Sequence, residues 1–312
     1  MNLFRSGAVK IIFKFLLSAV LLFLIVRWIG AEEIYSALLS VNVYYILISF
    51  VFVLLLTLLK SIRWRNIAAA FKANISLADS INYTFISFAF GFVTPGRIGE
   101  FIKGKFLADK SKAGYFRSFL TAVVDKIFDL AALLGLAFLG TAFLDIDMPF
   151  SGLLVLPFAL YAAILVLTWL FFNKTLKLAK YFIPGKYKES IRLLRITREF
   201  YLSSLGMSFL IWAFLSMTAF FVLKALGIAE ISLLTVIVAV PLMALSSQIP
   251  ISLGGIGVRE LVAIYFFSIM GVAAEKSAAF SLIYTFVSFA VPAVIGAILY
   301  VRAKSQKKQI RA

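Results

Sequence analysis

Three groups of ionisable residues interrupt an otherwise apolar chain. The first is Thr94-Pro95-Gly96-Arg97-Ile98-Gly99-Glu100. Arg97 and Glu100 are three apart, so a helix starting at Gly96 brings them to one face. Pro95-Gly96 opens the chain, and the backbone N–H groups at such a helix start, those of Gly96 and Gly99 among them, favour an anion. Arg97 adds a planar fork suited to phosphate. The plainer alternative is a turn at the membrane surface carrying an exposed ion pair.

The second group, Leu253-Gly254-Gly255-Ile256-Gly257-Val258-Arg259-Glu260, repeats the glycine-rich break beside an Arg/Glu pair. Gly254, Gly255 and Gly257 are its counterpart of the backbone anion site. Adjacent on a helix, Arg259 and Glu260 point in different directions and are not expected to pair with each other. An ionisable residue within the membrane costs roughly 3 kcal/mol on insertion scales, so it faces a cavity or a partner. Both residues lying at the outer interface is the other reading. The third group is Asp125-Lys126-x-x-Asp129, whose carboxylates share a helix face. Like charges so placed repel unless cations lie between them, and Lys126, Lys103 or Arg97 could serve. A structural or substrate-orienting network is favoured over proton or sodium gating by carboxylate titration.

Other chemistry is bounded by what is missing. The chain has neither cysteine nor histidine, which removes disulfides, a thiolate nucleophile, a His base and conventional zinc or haem sites. A carboxylate-only metal site stays formally open, but no metal or cofactor is expected. The phosphate-binding pattern G-x-x-x-x-G-K-[ST] does not occur. Asp145-x-Asp147 resembles the metal–nucleotide motif of sugar transferases, yet it reads as a solvated, external acidic loop.

The elements that must position these residues are membrane helices. Hydrophobic residues make up 63% of the 312 and charged ones 14%, with mean hydropathy +1.04, far from soluble-domain proportions. Apolar runs of roughly 20 residues separated by charged clusters define an all-α, polytopic membrane bundle, and continuous apolarity excludes the alternation of a barrel. The net charge of +17 is concentrated in loops, where it sets topology and meets anionic lipid headgroups; no nucleic acid partner is implied.

Expected full spans begin with the N-terminal run to about Ile29, read as a retained helix rather than a signal peptide, and 43–59, ending in basic residues with Trp64 as an interfacial anchor. The others are 119–144, 153–172, 204–226 and 277–300, the last kinked at Pro292. The run 81–94 has only 14 residues and basic clusters on both sides, which predicts a segment re-entrant from the cytoplasm. Residues 233–270 form a second such hairpin from the outside. The result is six full spans plus two re-entrant segments, with both termini and the basic loop 173–203 cytoplasmic, in the cell membrane. The second half of that loop reads equally as an interfacial amphipathic helix or a solvated connector. This topology puts 26 of the 31 Lys/Arg on the cytoplasmic side.

Gly96-x-Ile98-Gly99 recurs as Gly254-x-Ile256-Gly257 at an offset of 158, which also maps span 43–59 onto 201–217 and 119–144 onto 277–302. Within one membrane domain, 1–312, the segments 43–144 and 201–302 therefore read as repeats of opposite orientation. Inverted repeats of this kind mark secondary transporters, whose substrate site lies at the midplane where broken helices meet.

Arg63-Trp64, the first glycine motif, Asp125-Lys126-x-x-Asp129 and Gly254-Gly255-Ile256-Gly257-Val258-Arg259-Glu260 together resemble the lysylphosphatidylglycerol synthase transmembrane-region family over nearly the whole chain. Lys126 stands where an arginine is common, which keeps the charge. The resemblance implies a flippase-like protein that moves a polar-headed lipid, a phospholipid or polyisoprenoid-linked carrier, across the bilayer. The family's soluble synthase domain is not expected here, and no enzymatic activity with it. Arg97 and Arg259 would hold an anionic headgroup, with Glu100, Glu260, Asp125 and Asp129 orienting those cations or meeting an amine. A lipid-modifying enzyme and a non-catalytic membrane partner are the rival readings.

Overall fold

The computed structural model describes residues 2–111, 113–143, 197–248, 252 and 255–309. The expected span 153–172, most of loop 173–203, Asp145, Asp147 and Gly254 lie outside the described residues. Within them every regular element is a helix. In chain order these are α1 (Asn2–Ile29), α2 (Ala31–Leu39), α3 (Val43–Ala70), α4 (Leu77–Phe92) and a 3₁₀ turn (Ile98–Phe101). Then come α5 (Ile102–Ser111), α6 (Tyr115–Phe143), α7 (Arg198–Ala225), α8 (Leu233–Gln248), α9 (Val258–Ile269), α10 (Ala274–Thr285) and α11 (Val291–Gln309), the last two joined by a π turn (Phe286–Ala290).

Among the described residues, three continuous helices are long and apolar enough to cross a membrane: α3, α7 and the joined α10–α11 over Ala274–Ser305. A fourth span is available if α1 and α2 count together, although they bend by 87° at Gly30. α6, with 29 residues, carries Asp125, Lys126 and Asp129 along its first half. The outer surface bears many large apolar side chains, Phe23, Trp28, Leu47, Leu54 and Tyr265 among them, as a lipid-facing wall requires.

Two expectations about these helices need correcting. α3 does not end near Leu59; it runs 28 residues to Ala70, so Lys60, Arg63 and Trp64 lie inside it and are buried rather than anchored at an interface. The reason is electrostatic: carboxylates on α6 receive those cations. The final span is not simply kinked at Pro292. A π turn immediately precedes the proline, and such a bulge relieves the missing N–H donor and ring clash that proline imposes one turn earlier.

α4 and α8 each have 16 residues, about 24 Å of helix, short of the roughly 30 Å hydrocarbon thickness. Each is followed by a glycine break, a short helix and a long one. α3 lies antiparallel along α7: the Asn42 N–H donates to the Ala225 carbonyl at 2.8 Å, the rings of Tyr45 and Phe221 stack, and Arg63 reaches Ser208. α4 packs along α11, as α8 packs along α6; α5 lies on α6, as α9 lies on α10; α3 touches α4, as α7 touches α8. The α4–α11 approach is close enough that a Cβ on Gly296 would stand 1.9 Å from the Phe85 carbonyl oxygen. The largest apolar core joins Trp212 and Ala219 of α7, Val240 and Met243 of α8, Phe267 of α9 and Phe280 of α10.

Candidate functional site

The charged residues assemble in two neighbouring layers. In one, α3 faces α6. Arg63, fully buried, donates from Nε to Asp125 Oδ1 at 2.8 Å and from Nη2 to Asp129 Oδ1 at 3.3 Å. Its Nη1 donates to Ser208 of α7 at 2.6 Å. Lys60, one turn earlier, pairs with Asp129 Oδ2 at 3.2 Å, and Lys103 of α5 pairs with Asp125 Oδ2. Trp64 Nε1 donates to Thr121, and Trp212 Nε1 to the Asp129 carbonyl at 3.0 Å. The spacing explains the fit, because Lys60/Arg63 and Asp125/Asp129 each lie one turn apart on one face of their helix.

Of the three cations expected beside the two aspartates, only Lys103 makes that ion pair. Lys126 and Arg97 pair with Glu100, at 3.3 and 2.8 Å. Lys60, Arg63 and Trp212 were not among the candidate residues. The signal of the two cations lay in the sequence as Lys60-x-x-Arg63, matching a pair of carboxylates on another helix, while nothing in the sequence marked Trp212.

The second layer holds the two glycine breaks. Arg97 has φ 57°, a left-handed conformation that costs a residue with a Cβ about 1–2 kcal/mol. The turn has a single 3₁₀ helix after it rather than a helix from Gly96, and its amides are largely committed. The Arg97 N–H donates to the Thr94 carbonyl, and the Gly99 N–H, offered to an anion on sequence grounds, donates to Thr94 Oγ1 at 2.8 Å. A Cβ on Gly99 would stand 2.2 Å from the Phe90 carbonyl oxygen, so this glycine permits close approach of backbone to backbone.

At the second break, Gly255 and Gly257 have positive φ, and the Gly257 N–H donates to Glu260 Oε2 at 2.6 Å. Glu260 thereby folds back over the start of α9, as in the reach-back half of a capping box. That return overturns the expectation that Arg259 and Glu260 do not pair: Arg259 Nη2 lies 3.3 Å from Glu260 Oε1. Thr285 Oγ1 also donates to Glu260 Oε1, at 3.0 Å, as Lys126 serves Glu100 in the first half.

The breaks meet at Phe289 in the π turn. The guanidinium carbons of Arg97 and Arg259 both lie 4.7 Å from the centre of its ring. The two arginines also line one cavity of about 20 Å³, room for about one water, with Ser247, Trp212, Tyr284 and Phe289. Arg259 is almost fully buried, and its Nε has no hydrogen-bond partner among the described residues. A site of this kind is suited to holding an anion between two fixed cations.

A helical membrane protein with two glycine breaks converging on a buried cationic centre is the class that fold and site define. The chain belongs to the family described as the lysylphosphatidylglycerol synthase TM region, whose profile matches residues 11–296. It is similar to the UPF0104 membrane protein PH1989 of Pyrococcus horikoshii, 25% identical over 92% of this chain and 95% of that protein. It is also similar to the UPF0104 membrane protein MJ1595 of Methanocaldococcus jannaschii, 23% identical over 94% of this chain and 96% of the relative. A UPF0104 membrane protein of Methanothermobacter thermautotrophicus is 24% identical, with 94% of each chain covered. The chain is a multi-pass membrane protein.

Proposed function

We propose that this protein translocates a polar-headed, anionic lipid across the cell membrane, with the two glycine breaks as halves of one headgroup site. The observation that carries the reading is the convergence of Arg97 and Arg259, 162 positions apart in sequence, on the single ring of Phe289. Two cations brought together at the ends of two short helices invite an anion.

The helix succession supports an inverted repeat. α3, α4, the first break, α5 and α6 correspond to α7, α8, the second break, α9 and α10–α11. Exchanging the two sets carries α4–α11 onto α8–α6, α5–α6 onto α9–α10, and α3–α7 onto itself. Because α3 and α7 are antiparallel, the axis relating them runs perpendicular to both. For helices that cross the bilayer, that axis lies in the membrane plane, the arrangement of alternating-access transporters. Positive-inside counting then places the termini in the cytoplasm.

The lipid tail stays in the bilayer while the headgroup crosses. An apolar groove of about 230 Å³ between α1 and α9, lined by Leu21, Leu24, Ile25, Trp28 and Leu261, lies beside the second break and suits a chain entering from the side. The carboxylates each answer a cation, which favours holding and orienting a headgroup over acid–base chemistry on it. Purified protein in vesicles carrying a headgroup-labelled anionic lipid should expose inner-leaflet label to an impermeant quencher. Label protected to the same extent as in protein-free vesicles would exclude translocation and leave the enzyme and partner readings standing.

A further inference from the structure

The buried charges do not balance. Among the described residues, Lys60, Arg63 and Lys103 face Asp125 and Asp129, Arg97 and Lys126 face Glu100, and Arg259 faces Glu260. Each of the first two groups carries one cation more than its carboxylates neutralise, and the third is neutral. The surplus is two positive charges in a region where side chains are at most one-sixth exposed. An uncompensated charge there costs several kcal/mol. Arginine has no escape by deprotonation.

A second observation says where the surplus is met. Among the described residues Arg259 Nε is a buried donor without a partner, and Arg259 shares its cavity with Arg97. Each guanidinium has five donors in a fork, and each is tied to one carboxylate through Nη2. The remaining donors of two forks lining one cavity match the several acceptor oxygens of a terminal phosphate better than the two free oxygens of a diester.

Building on the reading of the two breaks as one anion site, we infer that the ligand bears two negative charges on a terminal phosphate, as a phosphomonoester or diphosphate, rather than the single charge of a phosphodiester. A phosphomonoester carries about −1.5 to −2 at neutral pH. It would cancel the surplus of both groups at once, where a diester leaves one charge uncompensated. The cavity of about 20 Å³ is water-sized, so the phosphate enters as the two breaks part and the arginines leave the Phe289 ring.

The test is equilibrium binding to purified protein by native mass spectrometry. The probes are dioleoyl phosphatidic acid, dioleoyl phosphatidylglycerol and inorganic phosphate. Phosphatidic acid should bind roughly ten-fold or more tighter than phosphatidylglycerol, and R259Q should abolish that preference. Lys126→Gln is the charge-count variant: Lys126 does not line the cavity, and Glu100 keeps Arg97. It should bring the two lipids close to parity, while Lys126→Arg retains the preference. Inorganic phosphate displacing phosphatidic acid at matched concentration would assign the site to free phosphate; failure to displace would assign it to a lipid headgroup, and either agrees with a dianion. Equal affinity for the two lipids in the native protein, or a preference untouched by R259Q and K126Q, overturns the inference. Phosphatidic acid selectivity without any lipid translocation would instead count against the transporter reading alone.

Discussion

Arg63 is the residue whose environment most changes how the sequence is understood. On sequence grounds it belongs to a basic helix end. In the fold it is fully buried, its fork divided among Asp125, Asp129 and Ser208. Removing one partner of a buried pair leaves the other charged and alone, which costs about 3–5 kcal/mol. Asp125→Asn should therefore lower the detergent-solubilised melting temperature sharply. Ser208→Ala, which deprives Arg63 of one charged hydrogen bond, should cost about 1.5–3 kcal/mol. Exposed Ser268→Ala serves as the neutral control. Asp125→Asn melting with the control would show that this layer does not hold the helices together. Arg97, Glu100, Asp125, Asp129, Arg259 and Glu260 were all visible in sequence because charge is conspicuous in an apolar run. The Arg97–Glu100 pair and Lys103 beside the aspartates were legible too; Lys60 and Arg63 as partners were not, because which face of α3 meets α6 depends on packing across 62 residues of chain. Phe289 was invisible for a different reason: one of 33 phenylalanines, it is distinguished only by the π turn that places it between two motifs.

At the level of elements, the short helices and their breaks were the most legible part of the chain. The 14-residue run at 81–94 became the 16-residue α4, and the apolar stretch before the second break became the 16-residue α8. Apolar run length and glycine placement are local properties, so they survive translation into structure. The 87° bend between α1 and α2 and the extension of α3 through its basic residues did not show, because tertiary partners decide both. The tight α4–α11 crossing gives a sharp test. Gly296→Ala must push Phe85 backbone away and should destabilise by roughly 1–3 kcal/mol, as overpacking does. Gly206→Ala, in α7 with nothing within 4 Å of the added Cβ, should be neutral or stabilise by up to about 1 kcal/mol. Equal melting of the two variants would contradict the crossing.

Considered as a whole, the molecule has matched helix partnerships but unmatched charge. The Lys60–Arg63–Asp125–Asp129 layer belongs to one half, while the positions 158 residues on are Thr218, Phe221, Ile283 and Val287. An apolar-to-charged asymmetry between otherwise corresponding halves would let the two breaks open at different cost, one releasing ion pairs and the other mainly apolar contacts. The proposed inverted repeat makes a topological prediction, and the absence of cysteine supplies a clean background for it. Asn74→Cys and Lys110→Cys should react with an impermeant maleimide from one side of the membrane, and Glu230→Cys and Lys276→Cys from the other. Asn74 and Lys110 on opposite sides would make the first broken segment a full crossing and remove the re-entrant reading.

If the two breaks form one site, a double-mutant cycle on headgroup translocation in reconstituted vesicles will show it. Residues serving one headgroup act as a unit, so their effects do not add. Arg97→Gln and Arg259→Gln should each slow translocation by roughly ten-fold or more, and the double variant should be no slower than the slower single. Losses that multiply in the double variant, or a wild-type rate in either single, would contradict a shared site.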